Sequence, residues 1–548
     1  MTSQAVGEEW WRGALCYQVY PRSFQDSDGD GIGDIPGIIA RLDYLNDGTE
    51  RSLGVDAIWL SPTYPSPMKD FGYDISDYVA VHPDFGTMSD MEQLIAECHT
   101  RGIRVLLDFV PNHSSDQHPW FIESRSSRHS PKRDWYYWRS AKADGSPPNN
   151  WISIFGGPAW TWDVPTGQYY LHSFLAEQPD LNWRNPEVVA AMHDVLRFWL
   201  DRGIDGFRID VMGMVLKHPE LADNPLDPEW RPLLPDYRRV LQLNSRNHPD
   251  VIEAVRGIRR VLDEYEGRVA VGEVFGTAEQ IAWYYGGEAL DGLHLAFNFQ
   301  LINEVDPPDD FTPWEAETIA RIINNAQRAT PGGGHLCFAL GNHDRSRLIS
   351  RMDHDGRGRE RARAAALLHL GLPNTPFIYY GEEIGMVDVD IPEQLLQDPA
   401  RFRHGGRDPE RTPMQWDTSA GRGFSTAEPW LPYGPVTISV AAEQEDAGSL
   451  LNLYRRASWM RKREAPLREG RLRDLTTMDG VLSFARHTRG SGTILVVVNT
   501  ASQPRSLPLA GPAEVILATH TALEGAARDV LQLPALAAAW IALPDKVE

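Results

Sequence analysis

Apolar positions along the chain gather into short runs rich in β-branched and aromatic residues, most of them followed by a stretch with helical spacing. The runs are Cys16–Phe24, Ala57–Pro62, Arg104–Val110, Gly206–Val211, Val269–Phe275, Leu293–Phe299, Leu336–Asp344 and Phe377–Ile384. Between the second and third, Met91, Leu94, Ile95 and Cys98 fall on one face of a helix over Met88–Thr100, and Gly102 suits its end. Pro186–Asp201 repeats that pattern ahead of the fourth run. Eight buried strands alternating with helices predict α/β architecture, a closed parallel (β/α)8 TIM barrel.

One interval breaks the alternation. Residues 112–183, dense in Trp, Gly, Pro and Ser, are too long for a barrel loop and read as a subdomain inserted after strand three. The barrel then comprises 1–111 and 184–469. Beyond it the texture changes: Val481–His487 and Thr493–Asn499 read as strands with turn residues between them, so 470–548 is expected to form a small antiparallel β-sandwich. No internal repeat is apparent.

Composition narrows the partners. Of 548 residues, 53 are Lys or Arg and 76 Asp or Glu, a net charge of −23 that repels phosphate backbones and anionic membranes and argues for a neutral or cationic ligand. Arg357–Arg363 (RGRERAR) is therefore read as a solvated helix face, not a nucleic-acid tract. The 18 Trp, 18 Tyr and 18 Phe supply flat rings suited to a pyranose face, although most aromatics in any protein are core. The longest apolar run, Ala535–Leu543, is nine residues, far short of the ~20 that span a bilayer. Cys16, Cys98 and Cys337 are odd in number and far apart, so no disulfide framework is legible. Met1–Gly13 lacks the basic start and apolar core of a signal peptide, which points to the cytoplasm.

Reactive side chains on a (β/α)8 barrel belong at the C-terminal ends of its strands. Strand three ends in Asp108, followed by Asn112 and His113; strand four carries Arg208 and Asp210, whose i, i+2 spacing points them to one side. Strand five ends at Glu273 and strand seven at His343 and Asp344. A single strand-end aspartate caps the next helix more often than it catalyses. Several carboxylates with two histidines and an arginine on one rim favour a catalytic site.

At these residues the sequence resembles a known family. DFVPNH (108–113), GFRID (206–210), GEVF (272–275) and GNHD (341–344) look like the four ordered motifs of glycoside hydrolase family 13, the α-amylase family. QPDLN (178–182), DFGYDISDY (70–78) and RTPMQW (411–416) resemble its oligo-1,6-glucosidase and α-glucosidase branch. The resemblance implies retaining, exo-acting hydrolysis of short α-glucosides, with Asp210 as nucleophile, Glu273 as acid/base and Asp344 as the carboxylate favouring the oxocarbenium-like transition state. It implies that His113 and His343 bond the glucose hydroxyls. Asp70 and Arg411 would grip the far end of the non-reducing glucose, a role Arg407 would share. Tyr73 would lie under the sugar, and Phe155 and Phe174 would line the pocket. Arg208 is expected to hold Asp210 ionised. Val211 resembles the α-1,6-preferring enzymes, though a β-branched residue also suits a strand.

A transglucosidase, sucrose isomerase or trehalose synthase of the same family would share the three carboxylates. No arginine-rich RLDRD-type segment stands near Phe299–Asp310, and QPDLN weighs against the synthases. A catalytically dead binding barrel would be expected to have lost a carboxylate and gained a membrane anchor. Asp26, Asp28, Asp30, Ile32 and Asp34 form the front half of an EF-hand-type loop, with Ile32 offering its carbonyl, but Gly37 stands where a bidentate Glu is required. An acidic solvated turn or a structural Ca2+ or Mg2+ site both fit, and the resemblance favours the metal. No organic cofactor is expected. Residues 212–235 form a Pro-rich loop expected to border the entrance on the leaving-group side.

Overall fold

Alternation along each barrel strand decides which side chains meet the lumen and which meet the surrounding helices. The computed structural model describes residues 9–543 except 233, 304–310, 401–405, 510 and 528. Seven parallel strands pair in the order eight-one-two-three-four-five-six. They are Phe377–Tyr379, Cys16–Val19, Ala57–Leu60, Arg104–Phe109, Gly206–Ile209, Val269–Gly272 and Leu295–Ala296. Strand seven is carried by single bridges, Asn298 to Phe338 and Ala339 to Phe377, which close the ring. Residues 304–310 of the segment searched for an arginine-rich motif lie outside the described residues.

The strands are shorter than the apolar runs that foretell them. Strand one stops at Val19 because Pro21, which has no N–H to give a ladder, opens the short helix Pro21–Phe24. Strand four stops at Ile209, and Val211 takes a left-handed conformation (φ 35°, ψ 46°). The β-branched side chain at 211 is therefore not there to suit a strand.

Cys16, Ala57, Trp59, Leu106, Val269, Val271, Leu295, Phe297, Cys337, Ala339 and Phe377 fill the lumen as one apolar cluster. Their neighbours Tyr17, Ile58, Leu60, Val105, Leu107, Phe207 and Ile209 pack outward against the helices. Met88–Thr100 is helical, with a Thr87/Asp90 capping box, and buries the four residues its spacing selects. Pro186–Leu200 begins at the Asn185 cap with Pro186 in its first turn.

After strand three the chain leaves the barrel to form a three-stranded antiparallel sheet, Trp138–Arg139, Gln168–Leu171 and Trp160–Asp163. Its core of Tyr137, Trp151, Trp160 and Leu171 takes in Leu221 from the loop after strand four. From Arg471 a six-stranded antiparallel sheet faces a two-stranded one, Arg505–Pro508 with Val530–Leu533. Val481, Val497, Val515 and Ile541 meet Leu507, Leu531 and Leu533 between the two sheets. On the other face, Phe484, Val496 and Trp540 join the barrel core. The helix Gly358–Gly371 meets that face; within it Arg361 is buried on Asp355, and Arg363 donates to the Thr519 carbonyl. RGRERAR is thus an interdomain surface in part, not simply a solvated one. Among the described residues no helix is long and apolar enough to cross a membrane.

Candidate active site

The lumen-facing alternation continues past the apolar layer and turns polar at the C-terminal ends of the strands. Leu106 gives way to Asp108, Val271 to Glu273, and Gly206 to Arg208 and Asp210. Arg208, fully buried, bonds three carboxylates: Asp210 at 2.6 Å, Glu273 at 2.8 Å and Asp108 at 2.9 Å. Tyr73 and Trp59 also donate to Asp108, at 2.9 and 3.2 Å. Burial pushes the Asp108 carboxyl up to about 6 in spite of Arg208. Burial, reinforced by Glu273 and Asp108, likewise raises Asp210 well above the ordinary carboxylate range. Arg208 alone therefore does not hold Asp210 ionised, because three buried acids share one guanidinium. The main chain adds a second tie: the Val211 N–H, aimed by its left-handed backbone, donates to Glu273 Oε2 at 3.1 Å.

The opposite end of the site is a second charge cluster. Arg407 reaches Asp70 at 2.5 Å, Asp398 at 2.7 Å and Asp344 at 3.1 Å. Arg411 donates to Asp344 at 2.9 Å and to the His343 carbonyl at 2.8 Å. Burial opposes ionisation of Asp344, but the permanent charges of Arg407 and Arg411 outweigh it and hold the carboxylate well below its usual range. Asp70 thus pairs with Arg407 and not with Arg411. Arg411 is fully buried behind Asp344, whereas Arg407 faces the cavity.

Both histidines are neutral near pH 7. Burial lowers His113 to about 4 and His343 well below its ordinary value. Gln18 donates to His343 Nδ1 at 2.8 Å, which leaves the proton on Nε2, 3.4 Å from Asp344. Asn112 does the same for His113 Nδ1 at 3.1 Å. The Tyr73 ring stacks on His343 with centroids 5.3 Å apart and planes 4° from parallel. Phe174 contacts His113, and Phe155 lies under the Arg407 guanidinium.

Asp70, Tyr73, His113, Phe155, Phe174, Asp210, Val211, Glu273, His343, Asp344 and Arg407 all line one cavity. Arg208 and Arg411 stand behind it. Three participants escaped the sequence reading. Asp398 lies in an irregular segment with no periodicity, Gln18 follows the alternation of strand one, and Gln178, inside QPDLN, donates to Asp70 at 3.0 Å.

Away from this cavity, Asp26, Asp28 and Asp34 each bring a carboxylate oxygen within 4.8 Å of the others. Asp26 accepts the N–H groups of Asp28, Gly29 and Gly31, and Asp34 caps the helix Ile35–Ala40. At Gly31 (φ 92°) a Cβ would fall 2.1 Å from the Glu428 carbonyl, so the turn closes only on glycine. Asp30 stands apart from the cluster, accepting the Ile32 N–H at 2.7 Å. Three hard oxygen donors fit Ca2+ or Mg2+.

Comparison with known proteins gives a consistent result. The model for the α-amylase catalytic domain matches residues 18–470. A probable α-glucosidase of Rhizobium meliloti (strain 1021) is 43% identical over 91% of each chain. An oligo-1,6-glucosidase of Parageobacillus thermoglucosidasius is 40% identical over 89% of this chain and 90% of its own. The crystal structure of an α-glucosyl transfer enzyme, 37% identical, superposes with a TM-score of 0.88 over 98% of this chain and 100% of that one. With its motifs gathered on one barrel rim and its relatives matched over nine-tenths of their length, the chain belongs to the α-amylase family, glycoside hydrolase family 13.

Proposed function

We propose that the protein is a retaining, exo-acting α-glucosidase that releases terminal non-reducing glucose from short α-glucosides, with a preference for α-1,6 links. The observation that carries this reading is a cavity with Asp210 and Glu273 tied to one guanidinium at one end and blocked by the Asp70–Arg407–Asp344 cluster at the other. Two carboxylates bridged so closely suit the separation of about 5–5.5 Å that retention uses. The blocked end limits attack to a terminal sugar.

In the first step Glu273 protonates the glycosidic oxygen as Asp210 attacks the anomeric carbon and the leaving group departs. In the second, Glu273 takes a proton from water, which hydrolyses the glucosyl–Asp210 ester. Asp344, held ionised, favours the positive charge that develops on the sugar ring. His343, carrying its proton on Nε2, donates to a hydroxyl, while His113, whose Nε2–H goes to the Tyr73 carbonyl at 3.2 Å, lines the cavity beside it. The relative named oligo-1,6-glucosidase supports the linkage, as does Val211 beside the nucleophile. A second reading, transfer of the glucosyl group to a sugar hydroxyl in place of water, is favoured by the α-glucosyl transfer enzyme among the structural neighbours.

Initial rates on isomaltose, maltose and sucrose, with the anomer of released glucose followed by NMR, test the proposal. α-Glucose should appear first, isomaltose should have the higher kcat/KM, and Asp210→Ala should be inactive. Initial release of β-glucose, or an active Asp210→Ala protein, would overturn it; oligosaccharides as main products would support transfer.

Asp26, Asp28 and Asp34 are proposed to hold a structural Ca2+ or Mg2+, remote from the chemistry. Chelator should lower Tm, and re-added Ca2+ should restore it; an unmoved Tm would refute the site. Cys16, Cys98 and Cys337, free and buried, support a reducing, cytoplasmic setting.

A further inference from the structure

A second cavity of about 730 Å3 adjoins the glucose pocket, and the residues shared between them are Tyr237, Arg246, Val274, Phe275 and Arg345. Val274 and Phe275 follow Glu273 directly, so this boundary is where the leaving-group half of a glucoside passes once its oxygen lies at Glu273. Arg345, next to Asp344 in the chain, lines both cavities. Its guanidinium stands 5.6 Å from the Phe275 ring centroid and makes no hydrogen bond or ion pair among the described residues.

The arginines around the glucose pocket behave differently. Arg208 and Arg407 each bind three carboxylates, and Arg411 binds Asp344. Arg246 comes within 5.0 Å of the same Phe275 ring. Both charged side chains at the boundary are thus cations; the acids Asp227 and Glu279 line only the second cavity. The net charge of −23 does not override this local field, since exposed charges beyond about 8–10 Å are screened at physiological salt.

We propose that the leaving-group site selects α-glucosides whose leaving group carries an anion, a carboxylate or a phosphate, and that Arg345 is the side chain that binds it. The inference rests on the α-glucosidase reading and names the substrate class of that same site. A guanidinium presents a planar fork of donors that matches either anion, and a leaving-group ring would lie against Phe275 beside it.

The test compares kcat/KM for phenyl α-glucoside with its para-carboxymethyl and para-phosphonomethyl derivatives, in wild type, Arg345→Gln and Arg345→Lys. At least one anionic compound should exceed the neutral one in wild type, and the better of the two identifies the anion. The anionic-to-neutral ratio should fall about tenfold or more in Arg345→Gln, the worth of one charged hydrogen bond, and less in Arg345→Lys. Calorimetric binding of the same compounds to Asp210→Ala protein gives a readout independent of turnover. Loss of hydrolysis on all three compounds and isomaltose would sink the glucosidase reading, while binding would still judge Arg345. Equal affinities for neutral and anionic compounds, with a ratio unmoved by Arg345→Gln, would overturn the proposal.

Discussion

Arg208 shows how one side chain can organise a reaction centre. It is fully buried, and its charge is divided among Asp108, Asp210 and Glu273. Replacing it with Met leaves three acids in a space that excludes water, so Arg208→Met should lose about 3–5 kcal/mol in urea denaturation at pH 7 and all measurable turnover. Part of that stability should return as pH falls through about 6, where Asp108, no longer opposed by the guanidinium, takes up a proton. These residues were legible in the sequence because a period of two along a strand projects Arg208 and Asp210 to one side. The Asp70–Arg407 pair was not. Arg407 and Arg411 flank the 3-10 turn Asp408–Glu410, one before it and one after, and spacing alone does not reveal which enters the cavity. Asp398 had no pattern to mark it.

Among the elements, two attachments matter most. The first joins the loop after strand four to the inserted subdomain. Lys217, with no exposed surface, donates to Asp180 at 2.7 Å and to Asn112 at 2.6 Å, and Asn112 orients His113. Lys217→Met should destabilise by about 3–5 kcal/mol through the unpaired Asp180. It should also raise KM for isomaltose more than it lowers kcat; an unchanged KM would show that His113 needs no such support. The second attachment follows strand eight, where Tyr454 of the helix Leu450–Arg463 donates to Glu382 at 2.7 Å. Burial raises Glu382 to about 7. Because its folded value lies above the unfolded value of about 4.5, the stabilising contribution is complete below pH 4.5 and disappears as pH rises through 7. Wild type should therefore lose on the order of 3 kcal/mol relative to Glu382→Gln across that window, read from urea midpoints. The alternating strands and helices were legible from periodicity. Their ends were not, since a proline at 21 and a left-handed residue at 211 stop strands inside apolar runs.

In the whole molecule, the C-terminal sheet packs on the barrel through Trp540, whose indole donates to the Leu367 carbonyl at 3.0 Å. Arg461 and Arg486 donate to the carbonyls of Leu370, Gly371, Leu372 and Asn374 around the end of the helix Gly358–Gly371. The change of texture after residue 469 revealed a separate β region, but not that its inner face and Arg486 grip the barrel at a helix end that Arg461 secures from the barrel side. Trp540→Ala should cost about 3–5 kcal/mol in thermal or urea unfolding, with isomaltose KM unchanged in the folded fraction. Strand seven joins its neighbours through isolated bridges only, so the ring has a seam between its sixth and eighth strands. The gripped helix leads directly into the eighth, which makes the C-terminal domain a buckle across that seam. Amide protons of residues 336–339 should exchange with solvent fastest among the barrel strands, and faster still once the buckle is loosened.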